Sequence, residues 1–98
     1  MLHIINKSPL DRPSLDSVLR LAGSGAVLLI EDAVYAATEG HAAADQVRAL
    51  AAKMKVFALT PDLEARGIAD RVIEGVAGVD YGGFVDLVSE YPNCQSWL

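Results

Sequence analysis

An adjacent pair of carboxylates, Glu31 and Asp32, follows the apolar run at residues 26–30. An apolar run without alternation is typical of a strand covered on both faces, so we predict the centre of a parallel sheet here. The carboxyl ends of such strands usually carry ligand or partner sites, and Asp32 is also a candidate cap for a helix beginning at Ala33. The pair could therefore hold a divalent cation, cap a helix or form a contact surface.

A phosphoacceptor site, as in a response-regulator receiver domain, requires more than this pair. It needs an aspartate after the next strand and a lysine further on, which supply the nucleophile and its charge partner. Only Asp62 lies near the required place. We therefore expect Glu31 and Asp32 to serve as a cap and an interface, with a stand-alone small-ligand or receiver-like binding domain as an alternative.

Cys94 is the single cysteine of the chain. A thiolate is the group that accepts persulfide sulfur, but no Lys, Arg or His lies near Cys94 in sequence to stabilise one. We expect an inert thiol, with sulfur transfer at Cys94 as the alternative. His3 and His41 lack a second ligand at metal-binding spacing, so we expect no metal site and no cofactor.

Two aromatic side chains could serve a contact surface. Trp97, near the end of the chain, carries up to about 250 Å² that a frayed tail would leave in water. It could fold back onto its own core or pack against another subunit, and Tyr35 has the same two options. We take both as interface candidates.

Strand and helix patterns alternate along the chain. Strand patterns occupy residues 2–5, 26–30, 55–59 and 71–74, and the tail at 93–98 is expected to be a final strand or an extended edge segment. Helical patterns occupy residues 14–22, 33–38 and 41–54, and further helices begin near Thr60 and after Asp80, the latter with Tyr81, Phe84, Val85 and Val88 on one face. This order predicts an α/β fold, a three-layer sandwich with about five mainly parallel strands, in one domain over residues 1–98.

A chain of 98 residues is a small domain. Surface scaling gives about 15,000 Å² for the unfolded chain and about 5,400 Å² for the folded one. With about 60% of the buried surface apolar, its burial contributes about 145 kcal/mol at about 25 cal/mol/Å², against about 147 kcal/mol of lost conformational entropy. Because these terms nearly cancel, we expect the isolated chain to be marginally stable or to associate with itself or with partners.

The formal net charge is −5, and the basic residues are scattered. Direct contact with nucleic acid is not expected, because it requires a basic stripe. The first residues lack the basic flank and long apolar core of a signal peptide, and no stretch approaches the roughly 18 apolar residues of a membrane span. We therefore expect a cytoplasmic protein without membrane contact.

Five separated segments together resemble the DsrH/TusB family. They are Leu2-His-Ile-Ile-Asn-Lys-Ser-Pro9, Gly25-Ala-Val-Leu-Leu-Ile-Glu-Asp-Ala-Val-Tyr-Ala-Ala37, Asp62-Leu-Glu-Ala-Arg-Gly67, Val79-Asp-Tyr-Gly-Gly-Phe-Val-Asp-Leu87 and Gln95-Ser-Trp-Leu98. The resemblance covers nearly the whole chain in register. It implies a DsrE/DsrF/DsrH-like fold and a heterohexamer built from two copies each of three related subunits, here with DsrE/TusD-like and DsrF/TusC-like partners.

The family has two branches, and the resemblance implies a different pathway for each. The Tus complex relays persulfide sulfur towards 2-thiouridine at the tRNA wobble position, whereas the Dsr complex serves sulfur oxidation through reverse dissimilatory sulfite reductase. In both, the principal sulfur-carrying cysteine belongs to the DsrE/TusD-like subunit. The DsrH subunit of the Dsr branch also carries a cysteine in its first helix, and the matching residue here is Val18.

Val18 lies on an apolar stripe with Leu15 and Leu19, so this position is expected to pack and cannot hold sulfur. The departure favours a non-catalytic TusB-like subunit of the tRNA thiolation relay. A DsrH-like subunit of a sulfur-oxidation relay is the first alternative.

Overall fold

The computed structural model describes residues 1–8, 17–18, 20 and 25–97, which contain a five-stranded sheet. All strand pairs are parallel, and the strand order is β4-β3-β2-β1-β5. The strands are β1 (Leu2–Ile5), β2 (Ala26–Leu29), β3 (Lys55–Leu59), β4 (Val76–Val79) and β5 (Cys94–Trp97). The predicted α/β fold with a central strand at residues 26–30 is confirmed, since β2 is the middle strand and is buried throughout.

Helices cover both faces of this sheet. The bounded α-helices of the described residues are α1 (Ala44–Lys53), α2 (Thr60–Ala65) and α3 (Tyr81–Glu90), and two 3₁₀-helices span Glu31–Ala37 and Ala69–Arg71. Ser17, Val18 and Arg20 are helical as well, whereas Leu15 and Leu19 of the predicted stripe lie outside the described residues. None of the helices within the described ranges is long and apolar enough to cross a membrane.

The larger apolar cluster lies on one face, where α1, α2 and the first 3₁₀-helix pack on the sheet. Val47 and Leu50 of α1 are fully buried, as expected for the apolar face of an amphipathic helix that packs on a sheet. The opposite face holds a smaller cluster around Leu2, Ala26 and Leu28, closed by Leu87 of α3. The accessible surface is 5144 Å², close to the value of about 5,400 Å² that the mass predicts.

The fourth strand lies further along the chain than predicted. Residues 71–74 are not a strand, because the second 3₁₀-helix ends at Arg71 and a turn follows; the strand is Val76–Val79. Gly78 belongs to this strand. A Cβ atom at Gly78 would lie 2.7 Å from Thr60 Oγ1, so the close approach of α2 explains a glycine inside a strand.

One predicted helix start is wrong and another is confirmed. Asp32 does not cap a helix at Ala33, because the 3₁₀-helix already begins at Glu31 and has no side-chain cap. Asp80 does cap α3, since its Oδ1 accepts a hydrogen bond from the Gly83 N–H over 2.7 Å. This bond satisfies one of the unpaired amides of the first turn of α3.

The apolar face predicted for the last helix is not its buried face. Leu87 is 7% exposed, whereas Tyr81 is 62% exposed, Val85 63% and Val88 41%. Phe84 is partly buried against the smaller cluster. The helix therefore turns Leu87 and Phe84 towards the sheet and leaves three large apolar side chains in water.

Candidate functional site

The acidic pair lies at the carboxyl end of the sheet, next to residues from the following strand. Glu31, Asp32 and Tyr35 belong to the 3₁₀-helix after β2, and Asp62 and Arg66 to the segment after β3. Because β2 and β3 are adjacent and parallel, their carboxyl ends meet at one edge. We call these five residues the carboxyl-end cluster.

Arg66 joins the two segments of the carboxyl-end cluster. Its Nε and Nη2 atoms donate hydrogen bonds to Asp32 Oδ1 over 3.2 and 3.0 Å. Its Nη1 atom donates to the Asp62 carbonyl over 3.4 Å, and its guanidinium carbon lies 5.9 Å from the centre of the Tyr35 ring. The Arg66 side chain is 23% exposed, so this charge is partly withdrawn from water and held in place by several partners.

Asp62 holds the chain where it leaves β2. Its Oδ2 accepts a hydrogen bond from the Glu31 N–H over 2.6 Å. Glu31 has a φ of 50°, a left-handed conformation that costs a residue other than glycine about 1 kcal/mol or more. The Asp62 carboxylate stabilises this turn because it gives the Glu31 amide a charged acceptor.

This arrangement supports a contact surface better than a reaction. The carboxylates of Asp32 and Asp62 already face the guanidinium of Arg66, which supplies the positive charge that a cation would otherwise bring. Over the described residues, no group of three or more His, Cys, Asp or Glu side chains is placed to hold a metal ion. The carboxyl-end cluster is therefore a partly exposed, charged and hydrogen-bonded surface with an aromatic ring beside it.

A second polar contact joins β1 to the edge strand β5. Trp97 Nε1 donates a hydrogen bond to His3 Nδ1 over 3.2 Å, and the two ring centres are 6.2 Å apart. Trp97 also packs partly against the larger apolar cluster. The structure thus gives Trp97 an intramolecular contact and leaves part of its surface exposed.

His3 is only 7% exposed, and this burial lowers its pKa from the usual value of 6.5. The lower pKa favours the neutral ring, which is the form that can accept the Trp97 hydrogen bond at Nδ1. The Nε2 atom of the neutral ring then carries the proton. His3 is therefore a structural histidine that joins two strands of the sheet.

The two positions considered for sulfur chemistry differ in burial. Val18 is fully buried in the larger apolar cluster, so a side chain here packs in the core. Cys94 is exposed and pairs with Leu2 at the amino end of the sheet. A four-residue strand at about 3.3 Å per residue separates Cys94 from the carboxyl edge, so the thiol lies away from Arg66 and the carboxyl-end cluster.

Two side-chain contacts described above were not predicted from the sequence: those of Arg66 and the one between Trp97 and His3. Arg66 was not singled out, although its spacing of four residues from Asp62 at a helix start was an available signal. The partner of Trp97 was not identified either, because His3 lies 94 residues away in the sequence. Both depend on which strands are adjacent.

The chain matches known proteins over almost its whole length. The family model described as DsrH like protein matches residues 7–94. A protein named TusB from Pectobacterium parmentieri is 38% identical over 99 residues, covering 99% of this chain and all of that protein. A protein named TusB from Escherichia coli strain K12 is 35% identical over 98 residues, with the same coverage.

Solved structures share the fold at lower identity. The ychN protein from E. coli has a TM-score of 0.80 at 22% identity, and 98% of this chain aligns with 97% of that one. Protein MTH1491 from Methanobacterium thermoautotrophicum has a TM-score of 0.77 at 19% identity, with 98% of this chain and 96% of that one covered.

The family model and the relatives named TusB confirm the family expected from the five sequence segments: the chain belongs to the DsrH family.

Proposed function

We propose that this chain is a non-catalytic TusB-like subunit of a cytoplasmic heterohexamer that passes persulfide sulfur towards 2-thiolation of the tRNA wobble uridine. The observation that carries this proposal is the full-length identity of 35–38% to proteins named TusB. Residues 1–98 would act as one domain. Its partners would be a DsrE/TusD-like and a DsrF/TusC-like subunit.

The non-catalytic role is supported by the thiol content of the chain. Sulfur relay requires a thiolate that attacks the outer sulfur of a persulfide, so that the S–S bond breaks and the donor leaves as a thiolate. The position matching the helix cysteine of the Dsr branch is Val18, buried in the core. Cys94, the single cysteine, is exposed at the amino end of the edge strand. We therefore assign the transferring thiol to a partner subunit.

The interface role of the site residues is supported by their exposure and by their contacts with Arg66. Glu31 and Asp32 are exposed, and Tyr35 is 37% exposed beside Arg66. These side chains and Trp97 are proposed to contribute to assembly. The net charge of −5 agrees with a subunit that leaves tRNA contact to other components.

Co-expression with the two related subunits of the same organism tests the proposal. We expect one complex on size-exclusion chromatography and restored wobble-uridine 2-thiolation in cells that lack their own TusB-like subunit. Absence of a complex would contradict the subunit assignment. Rescue of sulfur oxidation without rescue of tRNA thiolation would instead favour the DsrH-like alternative.

The location of sulfur is tested separately by mass spectrometry of the complex loaded with a persulfide donor. We expect added sulfur on a partner cysteine and full relay activity in Cys94→Ser. Stoichiometric persulfide on Cys94, lost together with relay activity in Cys94→Ser, would overturn the non-catalytic role.

A further inference from the structure

Helix α3 is apolar on two sides, although only one of them packs on the sheet. Tyr81, Val85 and Val88 are spaced four and three residues apart, which places them together along the helix, and they are 41–63% exposed. On the other side of the helix, Leu87 belongs to the smaller apolar cluster and Phe84 packs against it. We call Tyr81, Val85 and Val88 the α3 outer face.

The sheet beneath α3 is also incompletely covered. Ile4 of β1, Phe57 of β3 and Ile30, which follows β2, belong to the smaller apolar cluster with α3 and stay partly exposed. A surface helix normally directs polar residues outwards, so three large apolar side chains in water are an unfavourable arrangement for an isolated subunit. Covering them with another protein would remove this apolar surface from water.

The charges of α3 indicate what covers it. The ionisable acids on this helix and its cap are Asp80, Asp86 and Glu90, and the last turn carries no basic residue. A helix of ten residues is about 15 Å long, so these carboxylates lie within about a Debye length or two of the α3 outer face. Glu90 also lies at the negative end of the helix dipole, which leaves that end suited to a cation.

A second copy of this chain would bring the same acids against one another, and such like-charge contacts are unfavourable. A partner with an apolar centre edged by Lys or Arg would instead complement both features. We propose that the α3 outer face is a docking surface for one of the related subunits of the relay complex, and that this subunit presents such a basic-edged apolar patch. This inference rests on the proposed function, and it adds a contact on the opposite face of the sheet from the one where Trp97 packs.

Val85→Asp tests the surface directly, with Ala49→Asp as the matched control. Both substitutions add one carboxylate at an exposed helical position, but Ala49 lies on α1. The two related subunits are co-expressed with each other, and the affinity of each variant for them is measured by calorimetry. Urea unfolding of each variant checks that it is folded. We expect Val85→Asp to weaken binding at least about tenfold and Ala49→Asp to change it less than about twofold.

Asp86→Lys keeps the apolar side chains and tests the charge argument independently of Val85. We expect weaker binding and a smaller loss of affinity when salt is added, because the attraction to the basic edge is removed.

The outcomes separate this inference from the proposed function. If the wild-type chain binds the related subunits and both Val85→Asp and Asp86→Lys bind equally well, the docking surface is wrong and the subunit assignment stands. If the wild-type chain binds neither related subunit, both are overturned. Self-association that is lost in Val85→Asp, with partner binding unchanged, would show that a second copy covers the α3 outer face and would also overturn the inference.

Discussion

Trp97 donates its indole N–H to His3 Nδ1 over 3.2 Å, and this hydrogen bond joins the edge strand β5 to β1 across 94 residues of sequence. The acceptor atom is free only while the His3 ring is neutral. Burial of His3 favours that same neutral form and lowers its pKa. Attachment of the edge strand is therefore linked to pH.

We predict that the isolated chain loses stability as the pH falls below 6.5, the usual pKa of the His3 ring. The unfolded chain takes up the proton at this pH, whereas the folded chain takes it up only at lower pH. More protons bound in the unfolded state means that acid favours unfolding. Urea unfolding at a series of pH values measures the effect.

His3→Asn should remove this part of the pH dependence while it keeps an acceptor for Trp97. His41→Asn, at the other histidine of the chain, is the matched control and should leave the dependence in place. An unchanged pH profile in His3→Asn would show that His3 is not the responsible group.

The Trp97 hydrogen bond and the Trp97 ring are separable by mutation. Trp97→Phe keeps an aromatic ring but removes the donor, and we expect it to cost about 1 kcal/mol of unfolding free energy. Trp97→Ala also removes packing against the larger apolar cluster, so it should cost more. Urea unfolding of both variants gives the comparison.

Binding by the Trp97 variants decides the interface role. If Trp97 is an interface hot spot, Trp97→Ala weakens assembly with the related subunits by about 2 kcal/mol, or about thirtyfold. Reduced stability with normal binding by the folded fraction would show that Trp97 belongs only to the core.

The left-handed turn at Glu31 predicts an unusual effect of glycine. Glu31→Gly removes the steric cost of a φ of 50°. Glycine also gives the unfolded chain more conformational entropy to lose, which offsets part of this gain, so we expect a net stabilisation of about 0.5 kcal/mol. Glu74→Gly makes the same change in an exposed turn outside the left-handed region and should destabilise by a similar amount. Equal destabilisation by both substitutions would refute the strain at Glu31.

The isolated chain is predicted to be marginally stable or to self-associate. It exposes the α3 outer face. The free energy gained by burying apolar surface only about equals the conformational entropy cost of folding. Sedimentation at several concentrations and urea unfolding test this together. A monodisperse monomer more stable than about 10 kcal/mol would count against an obligate partner.

Local patterns were sufficient for most of the sheet and for the cap of α3. The strands at Leu2–Ile5 and Lys55–Leu59 appear with the predicted bounds, because short apolar runs between turn residues have few other favourable conformations. The Asp80 cap was also predictable, since a cap acts within three residues of its helix. The strand Val76–Val79 was missed because its glycine resembles a turn until the approach of Thr60 is known.

Sequence alone thus determined the α/β class, the central strand and the family, because periodicity and ordered motifs are properties of the chain itself. Only the tertiary structure decided that Arg66 joins Asp32, that Trp97 meets His3, and that α3 buries Leu87 while it exposes Val85. The physical reason is that such contacts depend on which strands become neighbours and which side of a helix meets the sheet. Long-range packing sets both, and no local propensity specifies them.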